Sequence, residues 1–181
     1  MSILTVYHHS NPDVPDKVLT HPEDICATLA VVGVHFERWQ SGATLQPGAS
    51  EEDVVAAYRP HIDTLTEALG GARVDVTSID RKHPQKDELR ARFLDEHYHD
   101  EDEVHFFVAG RGLFSLHIGD HVYAVLCERH DLIRIPAGTR HWFDMGEFPH
   151  LVAIRLFNNT EGLVAHFTGD DIARHFPRLE D

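Results

Sequence analysis

One short stretch of the chain concentrates residues that can bind a metal ion. Residues 97–114 read HYHDEDEVHFFVAGRGLF, with two histidines, an acidic run and then a hydrophobic run. Side chains alternate between faces along an extended strand, so the odd-numbered His97, His99 and Glu103 face the same way. Imidazole and carboxylate together suit divalent ions such as Fe(II), Mn, Ni and Zn. The spacing predicts three metal ligands on one face.

A fourth candidate ligand lies downstream. Residues 136–141 read PAGTRH, which places His141 just after a tight turn, where the next strand is predicted to begin. In an antiparallel sheet that strand can lie across from the first. Three imidazoles and one carboxylate would leave two adjacent positions of an octahedral ion open to a chelating substrate. A closed zinc site usually contains cysteine, and neither Cys26 nor Cys127 accompanies these histidines.

Each part of this pattern is weak when it stands alone. An H-x-H pair is common on exposed strands, and the acidic residues Asp100, Glu101 and Asp102 are typical of a solvated loop. The combination of strand parity, ligand type and a downstream histidine favours a metal site. We therefore interpret the three acidic residues as a spacer between ligands.

The composition limits the possible partners. The chain has 181 residues, which suits one domain, and its formal net charge is −14. This acidity argues against nucleic acid and anionic membranes as partners. No apolar run is long enough to span a membrane and no signal peptide opens the sequence, so we expect a cytoplasmic protein. Its size and charge favour a monomer.

The predicted secondary structure changes character near residue 96. The first part predicts helices capped near Thr20 and at Ser50, a helix at Pro84–Leu94, and strands at Val34–Trp39 and Arg73–Ile79. The second part predicts six short strands with turn residues between them, which indicates a sandwich or barrel. They are Val104–Ala109, Leu113–Ile118, Val122–Leu126, Asp131–Ile135, His141–Met145 and Leu151–Phe157.

The metal-ligand pattern resembles the two cupin motifs. The first, H-x-H-x3-E-x6-G, is matched by His97, His99, Glu103 and Gly110, and the second, P-x-G-x-x-H, by Pro136, Gly138 and His141. The resemblance implies a mainly β fold with flanking helices: a jelly-roll β-barrel with a helical N-terminal portion and a short C-terminal helix. We expect one cupin domain over 1–181, with 1–95 packing on the barrel, 96–160 forming the metal-binding core and 161–181 the tail.

Longer strings indicate one family within the cupins. FERW at Phe36–Trp39, HDEDEVHFFVAGRGLFSLHIGD at His99–Asp120, HWFDMG at His141–Gly146 and FTGDDIA at Phe167–Ala173 resemble bacterial acireductone dioxygenases. This resemblance covers nearly the whole chain. It implies one Fe(2+) or Ni(2+) ion per chain, held by His97, His99, Glu103 and His141.

The resemblance also implies an activity. The family cleaves 1,2-dihydroxy-3-oxo-5-(methylthio)pent-1-ene, the acireductone, with O2 in the methionine salvage pathway. The Fe(II) form is expected to yield 4-methylthio-2-oxobutanoate and formate. The Ni(II) form is expected to yield 3-(methylthio)propanoate, formate and carbon monoxide.

His105 departs from the family pattern, in which arginine usually stands two residues after the metal-binding glutamate. Parity turns His105 towards the expected substrate, and two interpretations stay open. It binds a substrate oxygen or accepts a proton, or it is a core histidine satisfied by a buried carboxylate or backbone group. Arg155 is the next inward-facing cation, so His105 and Arg155 are the candidate catalytic residues. Residues 161–163 also depart from the family, because some relatives carry tryptophan there.

Two other classes of protein remain as alternatives. Another cupin enzyme, an isomerase or epimerase, would need clustered cations if its substrate were a phosphosugar, and the barrel half has few. A non-catalytic cupin that senses a small molecule would normally carry a basic DNA-binding module, which the acidic N-terminal half lacks. His117 and His121, on either side of a predicted hairpin turn, are expected to be exposed. Phe93, Trp142 and Phe143 are expected in the core or the pocket wall.

Overall fold

The computed structural model describes residues 1–39, 45, 48–158 and 164–180. Its strands are β1 Ile3–His8, β2 Lys17–Leu19, β3 His35–Arg38, β4 Arg73–Ile79, β5 His97–Tyr98, β6 Glu103–Ile118, β7 His121–Glu128, β8 Asp131–Ile135, β9 Arg140–Asp144, β10 Leu151–Phe157 and β11 His166–Phe167. The α-helices are α1 Pro22–Val31, α2 Glu51–Ala57, α3 Arg59–Ala68 and α4 Lys86–Leu94, and a 3₁₀ helix spans Ile172–His175.

The long strand β6 joins two antiparallel layers. Its first part pairs with β8 and β10, which continue to β3 and β4. Its second part pairs with β7 and β9, and this layer runs in the order β11-β5-β9-β6-β7-β1-β2. The predicted mainly β, jelly-roll-like fold with flanking helices is confirmed. Over the described residues, however, the sheet is not closed into a barrel, because β2, β3, β4 and β11 each pair on one side only.

A bulge and a bend allow β6 to pair with strands of both layers. We predicted two strands with a turn at 110–112, but the strand continues through it. Val108 is one extra residue in the pairing of β6 with β10, which makes a β-bulge. The side chains of β6 that face inward are therefore odd-numbered before the bulge and even-numbered after it. Phe107 before the shift and Phe114 after it therefore pack in the same core. Gly110 has a φ of +70°, a backbone conformation that favours glycine.

The core lies between the two layers, and helices cover an outer face. Phe107, Phe114 and Leu116 of β6 pack inside with residues of β1, β3, β7 and β8. Val104 and Phe106, on the opposite face of β6, pack against α2 and α3. This two-sided burial explains why the first part of β6 is almost continuously apolar, although His105 faces inward among those residues.

The helix ends match the sequence predictions in part. Ser50 caps α2, since its Oγ accepts a hydrogen bond from Asp53 N at 3.2 Å. Thr20 does not cap α1, which begins at Pro22 with His21 as an N-cap residue that makes no side-chain bond. The helix predicted after Ser50 is divided at Tyr58, because Pro60 has no N–H to continue it.

Other parts of the chain were predicted less well. The C-terminal helix is a single 3₁₀ turn, and β1 and β2 were not predicted from the sequence. None of the described helices is long and apolar enough to cross a membrane. The assignment of 1–181 to one domain stays a prediction.

We predict that Gly110→Ala destabilises the protein more than Gly119→Ala. Both glycines have positive φ, at +70° and +60°. A Cβ at Gly110 would lie 1.6 Å from the carbonyl oxygen of His150, whereas a Cβ at Gly119 meets nothing within 4 Å. We expect losses of about 3 and about 1 kcal/mol in the free energy of unfolding, measured with urea. Equal losses would show that the bend tolerates a side chain.

Candidate metal centre

Three buried histidines meet at one end of the layer that contains β5 and β9. His97 in β5 lies directly opposite His141 in β9, with ring centroids 4.6 Å apart. His99 follows β5, and its ring centroid is 5.3 Å from that of His97 and 5.4 Å from that of His141. One ligand atom from each ring lies within 4.8 Å of the other two. The structure thus brings the H-x-H pair and the downstream histidine together.

Backbone carbonyls orient all three rings. The Nδ1 atoms of His97, His99 and His141 lie 2.7, 2.9 and 2.8 Å from the carbonyl oxygens of Asp95, Val164 and Thr139. A carbonyl only accepts, so each Nδ1 carries the proton and each neutral ring keeps a lone pair on Nε2. Burial lowers the pKa of His97, and it lowers that of His141 to about 3. At neutral pH these two rings are therefore uncharged, and each can offer its Nε2 lone pair to a metal ion.

Glu103 adds an acceptor that lacks a proton. Its Oε1 is buried without a hydrogen-bond partner among the described residues, and it lies 3.3 Å from His99 Nε2, which is also a lone-pair atom when the ring is neutral. Two electron-rich atoms therefore face each other, an arrangement that a cation between them would satisfy. Burial alone would raise the pKa of Glu103, but the hydrogen bond from His105 and electrostatic interactions with the neighbouring histidines lower it to about 2. These donors fit a divalent transition metal.

The acidic residues between the ligands support the backbone around the site. Asp102 Oδ1 accepts from Ala137 N at 2.9 Å, and its Oδ2 pairs with Arg134. Gly138 N in turn donates to the carbonyl oxygen of His99 at 2.8 Å. The carboxylate of Asp102 thus ties the turn before His141 to the segment after β5, which supports its interpretation as a spacer.

A cavity of about 660 Å³ opens beside the cluster. The three histidines and Glu103 form one part of its wall, and apolar side chains of α4 and the strands form much of the rest. Phe93 and Phe143 line it, and Trp142 is buried in a separate core cluster with Tyr7 and Phe176, so all three lie in the pocket wall or the core as expected. The cavity can therefore hold a small molecule that is polar at one end and apolar at the other.

The structure places His105 and Arg155 side by side in the cavity wall. They are paired residues of β6 and β10, and Arg155 is in turn opposite Asp75 of β4. Arg155 Nη2 donates to the Asp75 carboxylate, while its buried Nε makes no hydrogen bond to any residue that the structure describes. His105 lines the cavity and also donates from Nε2 to Glu103 Oε2 at 3.0 Å. His105 therefore faces the cavity, as a catalytic residue would, and bonds to a buried carboxylate, as a core histidine would.

Some site residues were missed or misplaced by sequence reasoning. His117 was expected to be exposed, but it is buried and bonds to Glu96, because β6 and its neighbours cover it. His121 is partly exposed and pairs with Asp16 at 3.4 Å. The carbonyl of Val164, which orients His99, carried no sequence signal because every residue has a carbonyl. The departure noted at residues 161–163 lies outside the described residues.

A buried carboxylate anchors the helical wall of the cavity. Arg90 of α4 donates from Nε and Nη2 to Asp144, at the end of β9, over 2.8 and 3.2 Å. The backbone N–H groups of Gly146 and Leu179 also donate to Asp144, each at 2.9 Å. Burial alone would raise the pKa of Asp144, but these bonds and the charge of Arg90 lower it below 3.8.

We predict that Asp144→Asn lowers the free energy of unfolding at pH 7 by about 2 kcal/mol. Because the native pKa is depressed, the stabilisation is complete above pH 3.8 and is lost as the pH falls through the native pKa. The gap between the two proteins should therefore be constant from pH 7 to about 5 and shrink in more acidic buffer. Urea unfolding across this range measures it, and a constant gap at acidic pH would contradict the assignment.

Comparisons with known proteins agree with this site. The model of the ARD/ARD′ family matches residues 4–165. Proteins named acireductone dioxygenase from Pseudomonas syringae pv. syringae (strain B728a) and Pseudomonas fluorescens (strain Pf0-1) are 68% and 67% identical over 181 residues, which is 100% of each chain. The structure of acireductone dioxygenase from Bacillus anthracis, with a cadmium ion in its active centre, matches with a TM-score of 0.80 and 28% identity over 92% of this chain and 98% of that one. The chain therefore belongs to the ARD/ARD′ family, that of the acireductone dioxygenases.

Proposed function

We propose that this enzyme cleaves acireductone, 1,2-dihydroxy-3-oxo-5-(methylthio)pent-1-ene, with molecular oxygen. The observation that carries the proposal is the convergence of three oriented imidazoles and an unbonded oxygen of Glu103 at a partly apolar cavity. The polar part suits the oxygen atoms of an enediol, and the apolar part suits its methylthio tail. The family to which the chain belongs supports the same reaction.

The proposed metal ligands are His97, His99, Glu103 and His141, holding one Fe(II) or Ni(II) ion per chain. A divalent ion there would supply positive charge and adjacent open positions, which stabilise a chelated, deprotonated enediol. The protein contributes the orientation of the donors, because the Nδ1 hydrogen bonds fix the direction of each ring.

His105 and Arg155 are the proposed catalytic residues. His105 Nε2–H donates a hydrogen bond to Glu103, so the neutral ring keeps a lone pair on Nδ1. That lone pair can accept a proton from a substrate hydroxyl. Within the described parts of the chain Arg155 Nε–H has no hydrogen-bond partner, so a substrate oxygen can accept from it without breaking another of these bonds. Asp75 holds the guanidinium in the cavity wall and offsets part of its charge.

The products and the cellular context are proposals of the same kind. We expect 4-methylthio-2-oxobutanoate and formate from the Fe(II) form, and 3-(methylthio)propanoate, formate and carbon monoxide from the Ni(II) form. The reaction would serve methionine salvage in the cytoplasm. We propose a monomer, because one chain supplies the whole histidine cluster and the cavity beside it.

The function is tested by oxygen uptake with acireductone, on protein reconstituted separately with Fe(II) and Ni(II). We expect uptake with both ions and carbon monoxide from the Ni(II) form alone, with His99→Ala losing both bound metal and uptake. His121→Ala, which removes a partly exposed imidazole, is the matched control and should retain both.

The outcomes separate the proposal from its alternatives. Metal binding without oxygen uptake under either ion would reject the dioxygenase and favour another cupin enzyme or a ligand-binding protein. Full metal occupancy in His99→Ala would reject the ligand assignment.

We predict that His105→Gln and Arg155→Gln impair different kinetic parameters while both variants retain metal. The amide of glutamine can still donate to Glu103 but cannot accept a proton, so kcat should fall about 100-fold. Loss of the Arg155 cation should mainly raise KM, by about 10-fold or more. His83→Gln changes another imidazole in the cavity wall and is the control. An unchanged kcat in His105→Gln would show that His105 is a core histidine.

A further inference from the structure

A buried carboxylate immediately precedes the first histidine of the cluster. Glu96 is 1% exposed, and both of its carboxylate oxygens are engaged. Oε2 accepts from His117 Nδ1 at 2.7 Å, and Oε1 accepts from Thr168 Oγ1 at 2.8 Å. The carbonyl oxygen of Glu96 also accepts from Thr168 N at 3.1 Å. Glu96 does not line the cavity, so these contacts do not serve substrate directly.

The bond to Thr168 connects Glu96 with the ring of His99. Thr168 directly follows β11, which pairs with β5 at His97. The same segment includes Val164, whose carbonyl oxygen accepts a hydrogen bond from His99 Nδ1. The two hydrogen bonds from Thr168 to Glu96 therefore fasten the segment that orients His99 to the strand that carries His97.

The bond to His117 connects Glu96 with the strand of His141. His117 of β6 lies opposite Arg140 of β9, and the preceding residue Leu116 lies opposite His141. His117 is 6% exposed, and its Nε2 contacts His9 Nδ1 at 3.2 Å, so its ring is held from both sides. A hydrogen bond between two buried side chains, Glu96 and His117, thus reinforces the direct pairing of β5 with β9.

The chemistry of the pair also indicates positioning. Burying a carboxylate costs several kcal/mol of desolvation, and apolar replacements of buried ion pairs are often no less stable. Hydrogen bonds between fixed partners do, however, define direction as well as distance. Glu96 makes two contacts through its carboxylate and one through its backbone carbonyl, so it is suited to holding three segments in one arrangement.

We propose that Glu96, acting through His117 and Thr168, is a positioning residue that sets metal affinity by fixing the relative placement of the three histidines. The proposal rests on the proposed function only for the identity of the ion. The test measures metal binding in the absence of substrate, so its result can be interpreted even if the protein does not catalyse the dioxygenase reaction.

The test compares Glu96→Gln, Thr168→Val and His117→Gln with the wild-type protein, using Co(II) as the probe. The dissociation constant is measured by competition with a chelator, the ligand geometry by the visible spectrum of bound Co(II), and the folding by the melting temperature of the metal-free protein. We expect Glu96→Gln to bind Co(II) about 10- to 100-fold more weakly and with an altered spectrum. His117→Gln should weaken binding similarly, and Thr168→Val, which loses one of the contacts, should weaken it less.

The control is His121→Gln, on the other side of the same hairpin turn, which should leave affinity and spectrum unchanged. A lower melting temperature with wild-type affinity and spectrum in Glu96→Gln would show that Glu96 only stabilises the fold, and would overturn the proposal. If Glu96→Gln does not fold, Thr168→Val decides, because it removes one hydroxyl and leaves the carboxylate with His117. Wild-type affinity and spectrum in Thr168→Val would then overturn it.

Discussion

The site depends on lone pairs that face one another in a buried space. Three Nδ1–H groups donate to backbone carbonyls, which leaves lone pairs on the Nε2 atoms of three clustered rings, and a carboxylate oxygen of Glu103 lies 3.3 Å from the Nε2 of His99. Such atoms repel each other when no cation or proton lies between them. The fold holds them together because the carbonyls of Asp95, Thr139 and Val164 belong to segments fastened by strand pairing and side-chain bonds. The affinity of the site for a metal ion therefore depends on how the backbone positions these atoms.

Strand β6 is the element that relates this site to the rest of the molecule. It carries Glu103 and His105 at its start and His117 near its end, and its bulge lets both halves face one core. Its first half places His105 beside Arg155 and Asp75, which form a polar row in the cavity wall. Its second half pairs with β9, where His141 lies. One bent strand thus connects the proposed metal ligands with the proposed substrate contacts.

Local patterns predicted much of the second half of the chain. Strands β8 and β10 have the predicted bounds, because turn residues bracket them on both sides. The turn expected at 110–112 was wrong, since two glycines also suit a strand that must bend against the backbone of His150. The exposure of His117 was wrongly predicted because its position beside a hairpin indicates exposure, whereas contacts with Glu96 and His9, both distant in the sequence, enclose its ring.

The sequence by itself determined the donor types, their spacing and the face of the chain on which they lie. Strand parity grouped His97, His99, Glu103 and His105, and the P-x-G-x-x-H motif added His141. The tertiary structure alone decided the tautomers of the three rings, the row of Asp75 and Arg155 beside His105, and the contacts of Glu96. Each of these depends on contacts between segments distant in the chain, such as Val164 with His99 over 65 positions. The spacing of residues along the chain predicts which way a side chain faces, but only the packed structure shows which groups it contacts.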